Sequence, residues 1–228
     1  VAKARLGGVR IVGPNCMGLN VPSSGMVILQ AVRVPKGPVA FISQSGGHCL
    51  QLCHYAPSVG AGFSKVISFG NAAVLDSTDY LESLKDDEET SIFALYVEGV
   101  KDGRRFFRLV RELNRTRPVV LWKGGTTSQG SRAALSHTGS LAGEKEKWEV
   151  FYRQTGAIEV ISLDELADVI MTLMYLKAAG GRGVALLMGG GGHSVTAADF
   201  CGREGMEVPV LSEETRRELR KLVPVAGT

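Results

Sequence analysis

The sequence of 228 residues has no run of about eighteen uninterrupted apolar residues, so no segment reads as a bilayer-spanning helix. Cysteine is scarce. Cys16, Cys49, Cys53 and Cys201 are unevenly spaced, which suits a reducing cytoplasm better than a disulfide framework. An excess of one charge is lacking too: 26 basic and 23 acidic residues, well interspersed, leave a net charge of +3. Such a weak, scattered balance argues against nucleic acid or a membrane surface as partner. Arg104, Arg105, Arg108 and Arg111 fall on an expected amphipathic helix and read as its solvated face. Metal-ligand spacing is missing as well. His48, Cys49, Cys53 and His54 lie a helical turn apart, but one helix face presents only part of that set, and no second pair follows at zinc spacing. No metal site is expected, and Cys49 and Cys53 read as core. The first ten residues lack the charged-then-apolar order of a secretory signal. The chain also begins without methionine, and a segment of a longer protein is expected.

What is present is a regular alternation of short β-rich runs and helical patterns. Strands are expected at Pro38–Ser43, Phe63–Phe69, Ser91–Val97, Pro118–Trp122, Ala157–Val160 and Gly183–Met188. Several are continuously apolar, as in a parallel sheet covered on both faces. Leu163, Leu166, Ile170, Leu173 and Met174 form one helical stripe, opened by a capping box of Ser162 and Glu165. Phe106, Val110 and Leu113 form a second, and Trp148, Phe151 and Tyr152 a third. Alternation at this interval implies right-handed βαβ units in a doubly wound α/β sheet, with ligands at the carboxyl ends of the strands. A glycine-rich linker at Lys177–Gly183 precedes a further strand–turn–helix unit resembling residues 38–56. An incomplete second domain of the same type is therefore expected there.

Four segments carry candidate chemistry. Ser43-Gln44-Ser45-Gly46-Gly47 follows a strand and opens a helix, so its amides can cradle a phosphate; serine and glycine also make ordinary tight turns. Gly189-Gly190-Gly191-Gly192-His193 is placed the same way. Four glycines in a row cost backbone entropy, which suggests close approach of a ligand or else a flexible turn. Ala134 to Gly143 reads as a hydroxyl-rich loop with His137 at its centre, either a solvated imidazole or a nucleophile toward phosphorus. Glu98 ends a buried strand. It can hold one ring nitrogen of an imidazole or serve the helix that follows.

Together these segments resemble the NDP-forming acyl-CoA synthetases: the succinyl-CoA synthetase α-subunit and, more closely, the ADP-forming acetate–CoA ligases. Gly13-Pro14-Asn15-Cys16-Met17-Gly18 resembles the end of that family's CoA-binding domain. Phe41 to Gly46 is similar to its first phosphate-binding turn, Ser136 to Gly143 to its phosphohistidine loop, and the glycines at 189–192 to its second phosphate-binding turn. The resemblance implies a flavodoxin-like ligase domain at 38–178, preceded at 1–37 by the end of a CoA-binding domain and followed at 179–228 by the start of a second ligase domain. It implies that His137 carries the phosphoryl group and Glu98 orients it. Ser43, Gln44, Ser45, Gly46, Gly47, Gly190, Gly191 and Gly192 would line the phosphate site, and Gly13 and Asn15 would meet CoA. The implied substrates are a carboxylic acid, CoA, phosphate and ADP/ATP or GDP/GTP, the nucleotide held with Mg²⁺ by an ATP-grasp domain or β-subunit absent from this chain, and an oligomer is implied. Acyl-CoA-sensing modules of the same family are the alternative. Those tend to lack the histidine, so His137 favours the enzyme.

Overall fold

The computed structural model describes residues 2–28, 32–138, 145–176 and 180–222, and of Arg5, His137 and Thr138 the backbone alone. It divides into two compact units, Val1–Leu176 and Lys177–Thr228.

The first unit opens with α1 (Ala2–Leu6), β1 (Gly18–Val21) and β2 (Met26–Val27). The βαβ series then runs β3 (Lys36–Ser43), α2 (Gly46–Tyr55), β4 (Phe63–Ser68), α3 (Ser77–Leu84), β5 (Ile92–Val97), α4 (Gly103–Leu113), β6 (Val119–Lys123), α5 (Ser128–Thr138), α6 (Lys145–Thr155), β7 (Ile158–Val160) and α7 (Leu163–Tyr175). The seven strands form one sheet in the order β2-β1-β4-β3-β5-β6-β7. From β4 to β7 every pairing is parallel. Numbered among themselves, these five strands run 2-1-3-4-5, the flavodoxin order, whose switch point lies between β3 and β5.

All six residues of β5 are buried, as a central parallel strand requires. Its side chains alternate between two cores. Phe93, Leu95 and Val97 meet α3, α4 and α6 through Leu81, Phe106, Val110, Phe151 and Tyr152. Ile92 and Ala94 face α2 and α7 through Cys49, Leu52, Cys53, Leu166 and Ile170. The cysteine pair is thus core, as its spacing suggested. The three apolar stripes all pack inward, while Arg104, Arg108 and Arg111 are exposed.

Four features differ from expectation. β1 and β2 pair antiparallel at the sheet edge, although Gly18–Val21 shows no strand periodicity; the short, half-buried ladder needs none. At α7, Ser162 Oγ accepts from the Glu165 amide, but the Glu165 carboxylate takes the Ile161 amide rather than closing the box. The reciprocal box instead opens α3, between Asp76 and Asp79. The segment expected to be a loop around His137 is helical up to Thr138, because Ala133, Ala134 and Leu135 favour helix over the flanking hydroxyl residues.

The second unit holds α8 (Gly191–Arg203) and α9 (Glu213–Leu222). The strand expected at Gly183–Met188 does not form; a single bridge joins Gly183 to Glu207, and Leu187 is 93% exposed. An apolar run makes a ladder only where neighbouring strands supply its hydrogen bonds. None of the described residues around it does so.

Candidate functional site

The carboxyl end of β3 turns into α2 at the switch point. Ser43 is fully buried, and its Oγ donates to the Ser45 carbonyl (2.8 Å) and accepts from the Ser45 amide (3.2 Å). Ser45 is extended at φ −94°, ψ 124°, and its Oγ caps the helix by accepting from the His48 amide at 3.3 Å. Both hydroxyls therefore close the turn. What the turn presents outward are the Gly46 and Gly47 amides, which have no hydrogen-bond partner among the described residues, at the positive end of the helix dipole. Gly46 is required for a second reason: a Cβ there would meet Met17 Cγ at 2.8 Å.

Next to this turn, Glu98 directly follows β5 and is 6% exposed. Its amide and that of Gly99 both donate to Gln44 Oε1, at 2.8 and 3.2 Å, while the Gln44 amide donates to the Tyr96 carbonyl at 2.9 Å. The Tyr96 hydroxyl donates to Glu98 Oε1 at 3.3 Å. From β6, buried Lys123 donates to the Glu98 carbonyl at 2.8 Å and to the Gly124 carbonyl, with its ammonium 5.4 Å from the centre of the Trp148 ring. Burial pulls the Lys123 pKa down to about 8, against the opposing pull of the Glu98 charge. Beside Lys123 lies a cavity of about 360 Å³ walled by Tyr96, Trp122, Trp148, Thr126 and Lys145.

Residues 13–17 pack onto the same end of the sheet. The Asn71 and Ala73 amides donate to the Pro14 and Gly13 carbonyls (3.0 and 2.8 Å), and the Met17 amide donates to Ser68 Oγ at the end of β4 (3.0 Å). Asn15 stays exposed, its Nδ2 donating to Asn71 Oδ1 at 3.1 Å. Close by in α3, Ser77 Oγ, Thr78 Oγ1 and Tyr80 OH are buried without a hydrogen-bond partner among the described residues.

In the second unit Gly190 caps α8 with extended backbone, φ −172°, and no side-chain cap. Gly189, Gly191 and Gly192 have open space where a Cβ would stand, so nothing within this unit demands glycine there. The Gly191 and Gly192 amides have no partner among the described residues.

The structure thus brings Ser43, Gln44, Ser45, Gly46, Gly47 and Glu98 together, with Gly13 and Asn15 along the same sheet edge. Gly190–Gly192 belong to the other unit. The backbone of His137 lies in the last turn of α5, and its side chain lies outside the described residues. Gln44 was expected to meet phosphate, yet its side-chain carbonyl is committed to the β5 end. Tyr96 and Lys123 were missed. The available signals were a tyrosine two residues before the acid, on the same strand face, and a lysine ending an otherwise apolar strand. Among the described residues no group of three or more His, Cys, Asp or Glu side chains is placed to hold a metal ion, and no helix is long and apolar enough to cross a membrane.

Residues 36–173 match the family described as a succinyl-CoA ligase like flavodoxin domain. The chain is 42% identical over 218 residues to acetate–CoA ligase [ADP-forming] I of Archaeoglobus fulgidus, covering 95% of this chain and 32% of the relative. It is 39% identical over 217 residues to the α-subunit of acetate–CoA ligase [ADP-forming] II of Pyrococcus furiosus, covering 95% of this chain and 47% of that one. Among solved structures, dinucleotide forming acetyl-coenzyme A synthetase 1 of Ca. Korarchaeum cryptofilum, in complex with phosphate and ADP, superposes with a TM-score of 0.86 at 31% identity. That match covers 100% of this chain and 50% of the other. The chain spans about a third to a half of the length of these relatives.

Proposed function

The chain belongs to the succinyl-CoA ligase-like flavodoxin family, and from that membership we propose that it is the phosphohistidine-bearing part of an ADP-forming acyl-CoA synthetase. The observation that supports this most directly is the pairing, at the switch point, of a helix N-terminus with two open amides and a buried carboxylate. Residues 1–37 are assigned to the end of a CoA-binding domain, 38–178 to the ligase domain and 179–228 to the start of a second one.

In the proposed reaction a phosphate oxygen attacks the thioester carbonyl of an acyl-CoA. The C–S bond breaks, CoA leaves and an acyl phosphate remains. A ring nitrogen of His137 then attacks phosphorus, the bond to the acyl oxygen breaks, and the carboxylic acid departs. The phosphoryl group finally passes from His137 to a nucleoside diphosphate at an ATP-grasp domain, with Mg²⁺, beyond this chain. The ADP-forming activity named for the relatives favours ADP over GDP.

This chain's own groups do three things in that scheme. The Gly46 and Gly47 amides and the α2 dipole hold the phosphoryl oxygens, and Gly190–Gly192 form a phosphate-binding turn of their own unit. Glu98 orients the imidazole and stabilises the positive charge that grows on it during attack. Gly13 and Asn15, on the open rim of the same edge, meet CoA. The scarcity of cysteine and the four free thiols fit a cytoplasmic setting.

The test is to incubate the full-length protein with ATP and Mg²⁺ and map the acid-labile, base-stable phosphate by peptide mass. Label on His137, lost in His137→Asn, is the expected result. Label on His48, His54 or His193 overturns the assignment, and absence of any label favours a regulatory acyl-CoA-binding role.

A further inference from the structure

We propose that Tyr96 is a positioning residue for phosphoryl transfer, fixing the carboxylate of Glu98 through its hydroxyl. The inference rests on the reading of Glu98 as the acid that orients His137, and it adds what holds that acid still.

Tyr96 and Glu98 are two residues apart where β5 leaves the sheet, so their side chains stand on the same face. The hydroxyl lies 3.3 Å from Glu98 Oε1 in a buried setting, and Tyr96 is 7% exposed. The ring is held from two sides. The His48 ring meets it at 4.7 Å and 66°, and the Trp122 ring at 4.8 Å and 77°, both edge-on. Its backbone is held as well, since the Tyr96 carbonyl accepts from the Gln44 amide. On the remaining side stands Gly124, where a Cβ would run into the hydroxyl itself. The chain therefore leaves out a side chain at the end of β6 at the one place where it would displace this oxygen.

A tyrosine buried only for its ring would be served as well by phenylalanine, since burying a hydroxyl is costly unless it is hydrogen-bonded. Here the hydroxyl has its partner. Burial and the Glu98 charge push its pKa up, so it remains a protonated donor across the working range. A donor on one carboxylate oxygen narrows the rotation of the group and biases the plane in which it meets an imidazole.

The experiment is a double-mutant cycle on the full-length protein, with the initial rate of His137 labelling as the readout. Glu98→Gln alone tests the underlying reading: if labelling is not slowed, the role of Glu98 fails, and this inference with it. With Glu98 intact, Tyr96→Phe is expected to slow labelling by about tenfold, with CoA affinity unchanged and the native fold retained. In the Glu98→Gln background the same change should alter the rate by less than about twofold. Gly124→Ala, which presses a methyl group toward the hydroxyl, should behave in the same coupled way. Equal slowing by Tyr96→Phe in both backgrounds, or none with Glu98 present, overturns the proposal.

Discussion

Gln44 and Glu98 are joined across the switch point of the sheet: the side-chain carbonyl of Gln44 accepts from the Glu98 amide at 2.8 Å and from the Gly99 amide at 3.2 Å. The turn that would bind phosphate and the strand end that carries the acid are therefore one piece. Replacing Gln44 with Leu leaves two amides at a buried site without that acceptor, at about 1–3 kcal/mol each. We expect Gln44→Leu to lower the unfolding free energy by roughly 2–4 kcal/mol and to slow His137 labelling. Denaturant unfolding measures the first effect. A loss below about 1 kcal/mol would show that the two segments hold together without this bond.

Gly46 separates steric from conformational demand. Its Cβ position meets Met17 Cγ at 2.8 Å, so alanine there overpacks the corner even though alanine is the better helix former. Gly46→Ala should cost about 1–3 kcal/mol, and adding Met17→Ala should recover part of that loss. Thermal midpoints of the two variants decide it. A midpoint for Gly46→Ala at or above that of the parent would refute the steric account.

Lys123 predicts a pH dependence of stability. Burial lowers its pKa from 10.5 to about 8 in the folded chain. Between those pH values the unfolded chain keeps a proton that the folded chain has lost, so stability rises with pH. The burial penalty is present in full below about pH 8 and is relieved on going toward 10.5. The unfolding free energy of wild type relative to Lys123→Met should therefore grow by roughly 2–3 kcal/mol from pH 7 to pH 10. A flat difference across that range would mean that Lys123 keeps its ordinary pKa.

Tyr80 offers a contrast with Tyr96. Its hydroxyl is buried without a partner among the described residues, and burial pushes its pKa up. Removing an unpartnered buried hydroxyl relieves its desolvation penalty. Tyr80→Phe should leave stability unchanged or raise it by up to about 1 kcal/mol in urea unfolding. A clear loss would point to a partner for this hydroxyl in the full-length protein.

The second glycine turn can be tested with opposing signs. Gly190 is an N-cap in ordinary extended backbone, where aspartate is a good cap and its charge suits the helix dipole. The same charge repels a phosphoryl group. Gly190→Asp should keep or raise stability by a few tenths of a kcal/mol while raising the KM for inorganic phosphate several-fold. An unchanged KM for phosphate would show that this turn does not bind phosphate.

Much of the fold was legible in the residues because helix and strand periods reflect burial directly. β3 to β7 follow from five apolar runs, and α4, α6 and α7 from their stripes, each within a few residues of the expected span. The edge strands β1 and β2 were not legible. Their pairing depends on β4 as a template, and a half-buried edge leaves no period of its own. The apolar run at Val184–Met188 shows the converse: β propensity without neighbours makes no ladder.

The sequence by itself determined the alternation of strands and helices, their approximate spans and the positions at which strands hand over to helices. These follow from local propensity and apolar spacing, which each segment carries within it. The tertiary structure alone decided what the residues at the handover do. Ser43 and Ser45 spend their hydroxyls on the turn, Gln44 serves the neighbouring strand, and Tyr96 and Lys123 converge on Glu98 from two different strand ends. Gln44 and Lys123 lie 54 and 25 residues from the Glu98 groups they hold. A hydrogen bond across such a distance depends on register between strands, and no local pattern in the chain records which atoms that register will bring together.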